Sequence, residues 1–364
     1  MIVSLPSFAK INLGLRIGAP RRDGFHELRT VYQTIALHDT IRISVERGSG
    51  IEIVCDDSRV PKGPANTCHR MVECAIRELK ARARVIIEIE KRLPVQGGLG
   101  AASGNAAAAL FALERALGKR LPRPEQLRMA AGVGSDVALF LLGGLVLGLG
   151  RGEEVYPLPD LPALPCVIAL PEIPVSTPGA FRDWDSLNPA HCHSESARSE
   201  GKGDSLRPGA DRPPAMPFEP DEAAKLTSST QSDRMTEFSR EISAWLTAAW
   251  FRTGRRTGVS AKTESGGRAE SPLLDLVRTG IENDFEKVVF LKHPELREAK
   301  RVLERAGAIY ASLSGSGSTL YGLFDSREKA AAAARALERG GTRAAVTSTL
   351  TRREYWKKLL AASS

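Results

Sequence analysis

Apolar residues at Ile11, Leu13, Leu15 and Ile17 alternate with other residues, and so do Ile41, Ile43 and Val45. A period of two places each set on one face of a strand, and the β-rich run VIIEIE at 85–90 reads the same way. Within 67–82, Met71, Ala75, Ile76 and Leu79 recur at helical steps, which predicts a helix between strands. A second helix is predicted over NAAAALFALERAL (105–117), where alanine and leucine give high helix propensity. Strands at Leu145–Leu149 and 166–170 are separated by the proline-punctuated stretch 157–165, which reads as a domain junction.

The pattern then changes. From 183 to 217 the composition shifts to Ser, Gly, Pro, Arg and Asp, too poor in apolar surface to offset its ordering entropy, so disorder is expected. Phe238, Ile242, Trp245, Leu246 and Trp250 recur at three- and four-residue steps, an amphipathic helix that packs back on the fold. A second flexible stretch is expected at 253–271. Order returns with helices through 283–290 and after His293-Pro294, strands at 309–314 and 319–324 around a GSGS turn, a helix from Ser326 and a strand near 344–348. The fold class expected is α+β with mixed α/β character, in two domains, 1–160 and 161–360, the second carrying the insertion.

Composition narrows the function classes. Apolar content of 42% and charged content of 26% are ordinary globular values, so most of the 364 residues should fold. No apolar run reaches the ~18 residues of a membrane span, and the N-terminus lacks a secretory pattern. Five scattered cysteines without a CxxC pair argue against a disulfide framework or zinc site and fit a reducing cytoplasm. The net charge of +8 suits anionic partners, but Lys and Arg are dispersed and aromatics are only 5%, which speaks against nucleic-acid binding.

Four segments carry candidate chemistry. GGLGAASGN (97–105) lets backbone N–H groups approach a ligand at the positive end of the following helix, a phosphate cradle that is neither a Walker loop nor a dinucleotide fingerprint. The plainer reading is a tight strand-to-helix turn with Ser103 as N-cap. Lys10 and Asn12, two apart in SFAKINLGLRI, share a strand face. Asp136 in GVGSDVALFLLGG is either an ordinary N-cap or a carboxylate in a cleft able to accept a substrate proton. Phe25 and His26 follow an Asp-Gly turn in RRDGFHELRT, where an exposed aromatic beside an imidazole suits a flat base. The SGSGST turn at 314–319 adds little alone.

Taken in order, AKINLGL (9–15), RRDGFHEL (21–28), LPVQGGLGAASGNAAAAL (93–110), GSDVALFL (134–141), NDFE (283–286) and SGSGS (314–318) resemble the GHMP family of small-molecule kinases. The Asp-Gly-Phe-His-Glu-Leu run points to the branch whose acceptor is a cytidine-diphosphate-linked methylerythritol, rather than to mevalonate, homoserine or galactose kinases. The resemblance implies an N-terminal α/β domain with the ATP loop, a C-terminal α+β domain, and substrate between them. It implies Lys10 and Asp136 as the catalytic pair, Asp136 taking the hydroxyl proton and Lys10 holding that hydroxyl in line. It implies that Pro94, Val95, Gln96, Gly97, Gly98, Leu99, Gly100, Ala101, Ala102, Ser103 and Gly104 wrap the ATP phosphates. Asn12 would touch the sugar-alcohol end, and Phe25 and His26 would receive the cytosine, with Phe181 a second stacking face. Mg²⁺ is inferred because ATP phosphoryl transfer normally needs it.

Two departures stand out. The family loop is closer to GGGLGGGSSN, whereas Gln96, Ala101, Ala102 and Gly104 replace glycine or serine here, and a methyl at positive φ strains a loop. The long insertion after Phe181 is the other. The competing readings are another GHMP kinase with a different alcohol, and an inactive nucleotide-binding relative.

Overall fold

Two long strands organise the molecule, a computed structural model in which residues 2–188, 235, 238–240, 242–243 and 281–361 are described. Strands β1 (Ile2–Pro20) and β2 (His26–Glu46) form an antiparallel hairpin around the Asp-Gly turn. Its register slips between Phe8 and Ala9 and again between Asn12 and Gly14, so bulges bracket Lys10 and Asn12. Bulges of this kind re-aim side chains at functional sites. The free edge of β2 pairs first with β5 (Leu145–Leu149) and then with β4 (Arg84–Glu90). β3 (Gly50–Val54) and β6 (Glu154–Pro157) complete six strands in the order β3-β4-β2-β5-β6, with β1 on β2.

Helices α1 (Thr67–Glu78), α2 (Ala101–Leu117), α3 (Arg123–Val133) and α4 (Val137–Phe140) cover one face of this sheet. Their apolar sides meet Leu5, Phe8, Ile41, Ile43, Val85 and Ile87 in one core. A second, four-stranded sheet runs β10 (Arg343–Ser348), β7 (Pro165–Leu170), β9 (Leu320–Leu323), β8 (Tyr310–Leu313). Its outer face packs α5 (Thr177–Leu187), α6 (Glu286–Lys292), α7 (Pro294–Arg305) and α8 (Arg327–Arg339). Between the two sheets, Ile11, Leu13, Val31 and Ile35 meet Cys166, Ile168, Tyr321 and Leu323. The β1–β2 hairpin is therefore buried on both faces, and its polar residues are enclosed with it.

The chain's last helix, α9 (Arg352–Ala361), returns to the first layer. Tyr355 Oη donates to the Phe140 carbonyl at 2.6 Å and Trp356 Nε1 to that of Leu142 at 3.0 Å. Packing thus departs from a simple division of the chain at residue 160.

The predicted strands and helices at 67–82, 85–90, 105–117, Leu145–Leu149, 166–170 and beyond 283 are present, with shifted ends. The expectation of disorder from 183 needs correction at its start. Residues 183–187 belong to α5, capped by Ser176, whose hydroxyl accepts from Gly179 N, and anchored by Ala180 and Trp184, which is 2% exposed. One large aromatic at helical spacing from Ala180 outweighs the polar composition around it. Residues 189–217 and 253–271 lie outside the described residues, as do Trp245, Leu246 and Trp250, whereas Phe238 and Ile242 are helical and buried. Among the described residues no helix is long and apolar enough to cross a membrane.

Replacing Tyr355 by Ala should destabilise the protein by about 3–5 kcal/mol, the usual cost of emptying a buried aromatic site. Urea unfolding should show this as a lower midpoint with an unchanged slope.

Candidate active site

Asn12 and Lys10 sit opposite Tyr32 and Thr34 across the hairpin, so all four side chains share one face. Lys10 Nζ donates to Asn12 Oδ1 at 2.6 Å and pairs with Asp136 Oδ2 at 3.3 Å. The lysine side chain is only 4% exposed and that of Asp136 28%, so the lysine is enclosed while the carboxylate is partly open to solvent. An ammonium this deeply enclosed demands such partners. Asn12 Nδ2 donates in turn to Thr30 Oγ1 at 2.7 Å, and Thr30 to the Gly14 carbonyl at 2.8 Å. Asn12 is 1% exposed, and its side-chain amide is bonded to Lys10 and Thr30. Asp136 occupies the N-cap position of α4 but makes no capping bond with its side chain, which leaves the carboxylate for Lys10 and Tyr32 Oη, 2.9 Å from Oδ1.

The glycine loop runs directly beside this pair. Lys10 N donates to the Leu99 carbonyl at 3.0 Å. Helix α2 starts at Ala101 with Gly100 as its N-cap at φ +68, so Ser103 lies inside the first turn and is not the cap. Ala101 and Ala102 accordingly avoid positive φ, and their methyls leave the loop unstrained; the one strained substitution is Gln96, at φ +63. At Gly104 a Cβ would come within 2.7 Å of the Phe8 carbonyl, so the missing side chain lets α2 approach β1 closely.

Two further groups fix the loop. Asp39, fully buried, accepts from Lys91 Nζ, Arg92 N, Leu93 N and Asn105 Nδ2 at 2.6–3.1 Å, tying β2 to both ends of the loop. On its other side the loop meets the second glycine turn: Ser314 Oγ donates to the Gly98 carbonyl at 2.9 Å. A Cβ on Gly98 would lie 2.1 Å from the Ser314 carbonyl oxygen. That turn is held by Asn283, whose Nδ2 donates to the carbonyls of Leu313 and Gly315, both at 2.8 Å. The two glycine-rich motifs, far apart in sequence, form one structure.

Residues 94–103 line a cavity of about 370 Å³ together with Val60, Pro61, Asn66, Thr67, Cys68 and Ile89; Gly104 lies behind it. The apolar end suits a flat base; burial pushes the Cys68 thiol there up to about 12, so it stays protonated, while Arg59 and Lys91 add positive charge to the lining. The loop end offers backbone N–H groups and the start of a 17-residue helix to an anion. The loop thus joins this cavity on one side to the Lys10–Asp136 pair on the other.

Phe25 is 48% exposed at the tip of the Asp-Gly turn, with the Arg151 guanidinium 4.9 Å from its ring centroid. His26 is turned inward. Its Nε2 bonds Asp185 Oδ1 at 2.7 Å and its ring stacks on Phe181 at 4.8 Å and 12°. One face of the Phe181 ring is thus covered by the His26 imidazole.

Comparison with known proteins decides the family. The GHMP kinases N-terminal domain profile matches residues 66–144 and the GHMP kinases C-terminal profile residues 270–342. A 4-diphosphocytidyl-2-C-methyl-D-erythritol kinase of Solibacter usitatus is 38% identical over 325 residues, covering 89% of this chain and 81% of the relative. The one from Acaryochloris marina is 32% identical, covering 90% and 88%. The chain belongs to the 4-diphosphocytidyl-2-C-methyl-D-erythritol kinases of the GHMP family. A crystal structure of a 4-(cytidine 5'-diphospho)-2C-methyl-D-erythritol kinase superposes with TM-score 0.61 at 27% identity over 95% of this chain and 98% of that one. A homoserine kinase from Cytophaga hutchinsonii (TM-score 0.63, 19% identity, 96% and 95% covered) shares the fold.

Reading the sequence alone missed Tyr32, Asp39, Arg151 and Asp185 in this GHMP kinase. Tyr32 and Asp39 are placed by strand β2, Arg151 by the β5–β6 turn between Gly150 and Gly152, and Asp185 by helix α5. Strand pairing alone would have exposed Tyr32, which lies opposite Asn12.

The loop geometry separates two substitutions. Gly98→Ala should raise the KM for ATP at least about tenfold, since neither the positive φ nor the Ser314 carbonyl tolerates a Cβ. Ala101→Gly should leave it within about twofold, because that position is helical. Steady-state kinetics with varied ATP distinguish them.

Proposed function

We propose that this chain is an ATP-dependent kinase that phosphorylates the 2-hydroxyl of 4-diphosphocytidyl-2-C-methyl-D-erythritol, a step of the non-mevalonate route to isoprenoid precursors. The observation that carries the chemistry is the Lys10–Asp136 pair, 3.3 Å apart, beside the loop that lines the nucleotide cavity. Asp136 takes the proton of the acceptor hydroxyl, and the freed oxygen attacks the γ-phosphorus as its bond to the ADP oxygen breaks. Lys10 aligns that oxygen and offsets charge on the moving phosphoryl group. Positioning and electrostatics of this kind supply most of the catalysis in phosphoryl transfer. The intact pair disfavours an inactive nucleotide-binding relative.

The stretch from Pro94 to Gly104 receives the phosphates, Gly104 doing so by letting helix α2 sit close against β1. Mg²⁺ fits the site as an ion carried by the triphosphate. Among the described residues no cluster of three His, Cys, Asp or Glu side chains forms an all-protein cage, and Mg²⁺ commonly relies on substrate phosphates and water. Ser103, at the loop's helical end, is the side-chain hydroxyl available to a phosphate or to a metal-bound water. Bound Mg²⁺ would neutralise phosphate charge.

For the acceptor, the cytosine stacks on the exposed Phe25 ring. His26 contributes the edge of its ring, held by Phe181 and Asp185, rather than an open face. Another GHMP alcohol would have no use for this platform. Domains at 1–160 and 161–360, with the terminal helix α9 packed back on the first, and a cytoplasmic location complete the reading.

With the cytidyl alcohol and ATP, wild type should turn over and Asp136→Ala should lose about 10²–10⁴-fold in kcat, the range for a general base. Equal rates in both would remove Asp136 from the mechanism, and an inactive wild type would favour the nucleotide-binding relative. Phe25→Ala should raise the KM of the cytidyl alcohol about tenfold, with the KM for ATP unchanged, as expected for loss of one base-stacking face. An unchanged KM would place the cytosine elsewhere.

A further inference from the structure

The carboxylate of Asp136 has two oxygens, and the structure gives them different partners. Oδ2 faces Lys10 Nζ at 3.3 Å, while Oδ1 lies 2.9 Å from Tyr32 Oη. Tyr32 is 2% exposed and stands on β2 directly opposite Asn12, so the side chain comes from the same rigid hairpin as Lys10. The Lys10 ammonium sits 5.5 Å from the centre of the Tyr32 ring, so one aromatic residue touches both members of the pair.

The surroundings of the phenol leave it little freedom. A Cβ on Gly148 would lie 2.5 Å from Tyr32 Cε2, and one on Gly152 would overlap Oη while coming within 3.9 Å of Asp136 Oδ1. Gly152 also has φ +100, where other residues are strained. The β5–β6 turn is therefore built around the tyrosine hydroxyl. The charged groups nearby are Lys10 on β1, Asp136 itself, and Arg151 and Glu153 on that turn, which pair with each other at 3.0 Å. Burial, reinforced by the Asp136 charge, raises the Tyr32 phenol well above its ordinary range, so it stays a hydrogen-bond donor at any pH used for assay.

We propose that Tyr32 is a positioning residue for phosphoryl transfer: its hydroxyl occupies Oδ1 and fixes the carboxylate rotation that leaves Oδ2 for the substrate proton. This rests on the reading of Asp136 as proton acceptor. The acceptor O–H bond breaks and its proton goes to Oδ2. The oxygen's electron pair forms the new bond to the γ-phosphorus, and the electrons of the broken bond leave on ADP. Without the phenol, the carboxylate rotates about its own axis and divides its time between productive and idle orientations. Substrate binding does not use Oδ1, so the loss falls on turnover.

The test compares Tyr32→Phe, Asp136→Ala and wild type, with kcat and both KM values measured well below each variant's thermal unfolding midpoint. Phenylalanine keeps the ring in the core and removes only the donor. Tyr32→Phe should lower kcat about tenfold or more, the scale of a lost hydrogen bond to a charged group, with both KM values within about twofold of wild type. A wild-type kcat in Tyr32→Phe, alongside an inactive Asp136→Ala, overturns the role of Tyr32 alone. A fall in kcat matched by a comparable rise in KM also overturns it, because it marks a general loosening of the site. Full activity in Asp136→Ala overturns the proton-acceptor reading, and the role of Tyr32 with it.

Discussion

Taking the Lys10 ammonium out of water carries a large desolvation cost unless its charge is matched and its donors are used. Much of the architecture around it answers that demand. The β1–β2 hairpin is sandwiched between a helical layer and a second sheet, which encloses Lys10, and the same hairpin supplies Asn12, Thr30 and Tyr32 to organise its partners. Asp136 comes from outside the hairpin, at the start of α4, and its half-open carboxylate lets one charge pair be both buried and reachable by a substrate. Bulges on either side of Lys10 and Asn12 set the direction of these side chains.

The glycine loop proposed to hold the nucleotide is defined by the same hairpin. Lys10 fastens it through a backbone bond, and Asp39 of β2 gathers the residues before it and Asn105 after it. From the opposite side the Ser314–Gly315 turn closes against Gly98. Loop and Lys10–Asp136 pair are therefore tied to one frame, which suits phosphoryl transfer because its rate depends on alignment more than on covalent help. The NDFE segment serves this end. Asn283 carries the Gly315 turn, Asp284 accepts from Ile17 N on β1, and Glu286 accepts from Leu313 N.

How much of this could be read from the residues follows from the range of each interaction. Local signals worked: alternation marked β1, β2 and β4, and motif order pointed to the GHMP fold with Lys10, Asp136 and the glycine loop as its candidate chemistry. Features set by register or backbone angle did not. Tyr32 becomes visible only when Asn12 is seen to pair with it, and Ala101 and Ala102 looked doubtful until the helix was seen to begin at Ala101. His26 and Phe181 are separated by most of the first layer in sequence, and their mutual stacking was invisible to any local pattern. Trp184 shows the reverse error, a composition average hiding one decisive aromatic.

The most direct test of the account is a crystal structure with a non-hydrolysable ATP analogue and the cytidyl alcohol bound together. The account predicts the acceptor hydroxyl within about 2.6–3.2 Å of Asp136 Oδ2, in line with a γ-phosphate seated on the 97–103 loop, and the cytosine on Phe25. A hydroxyl lying away from Asp136, with the phosphates outside that loop, would contradict it.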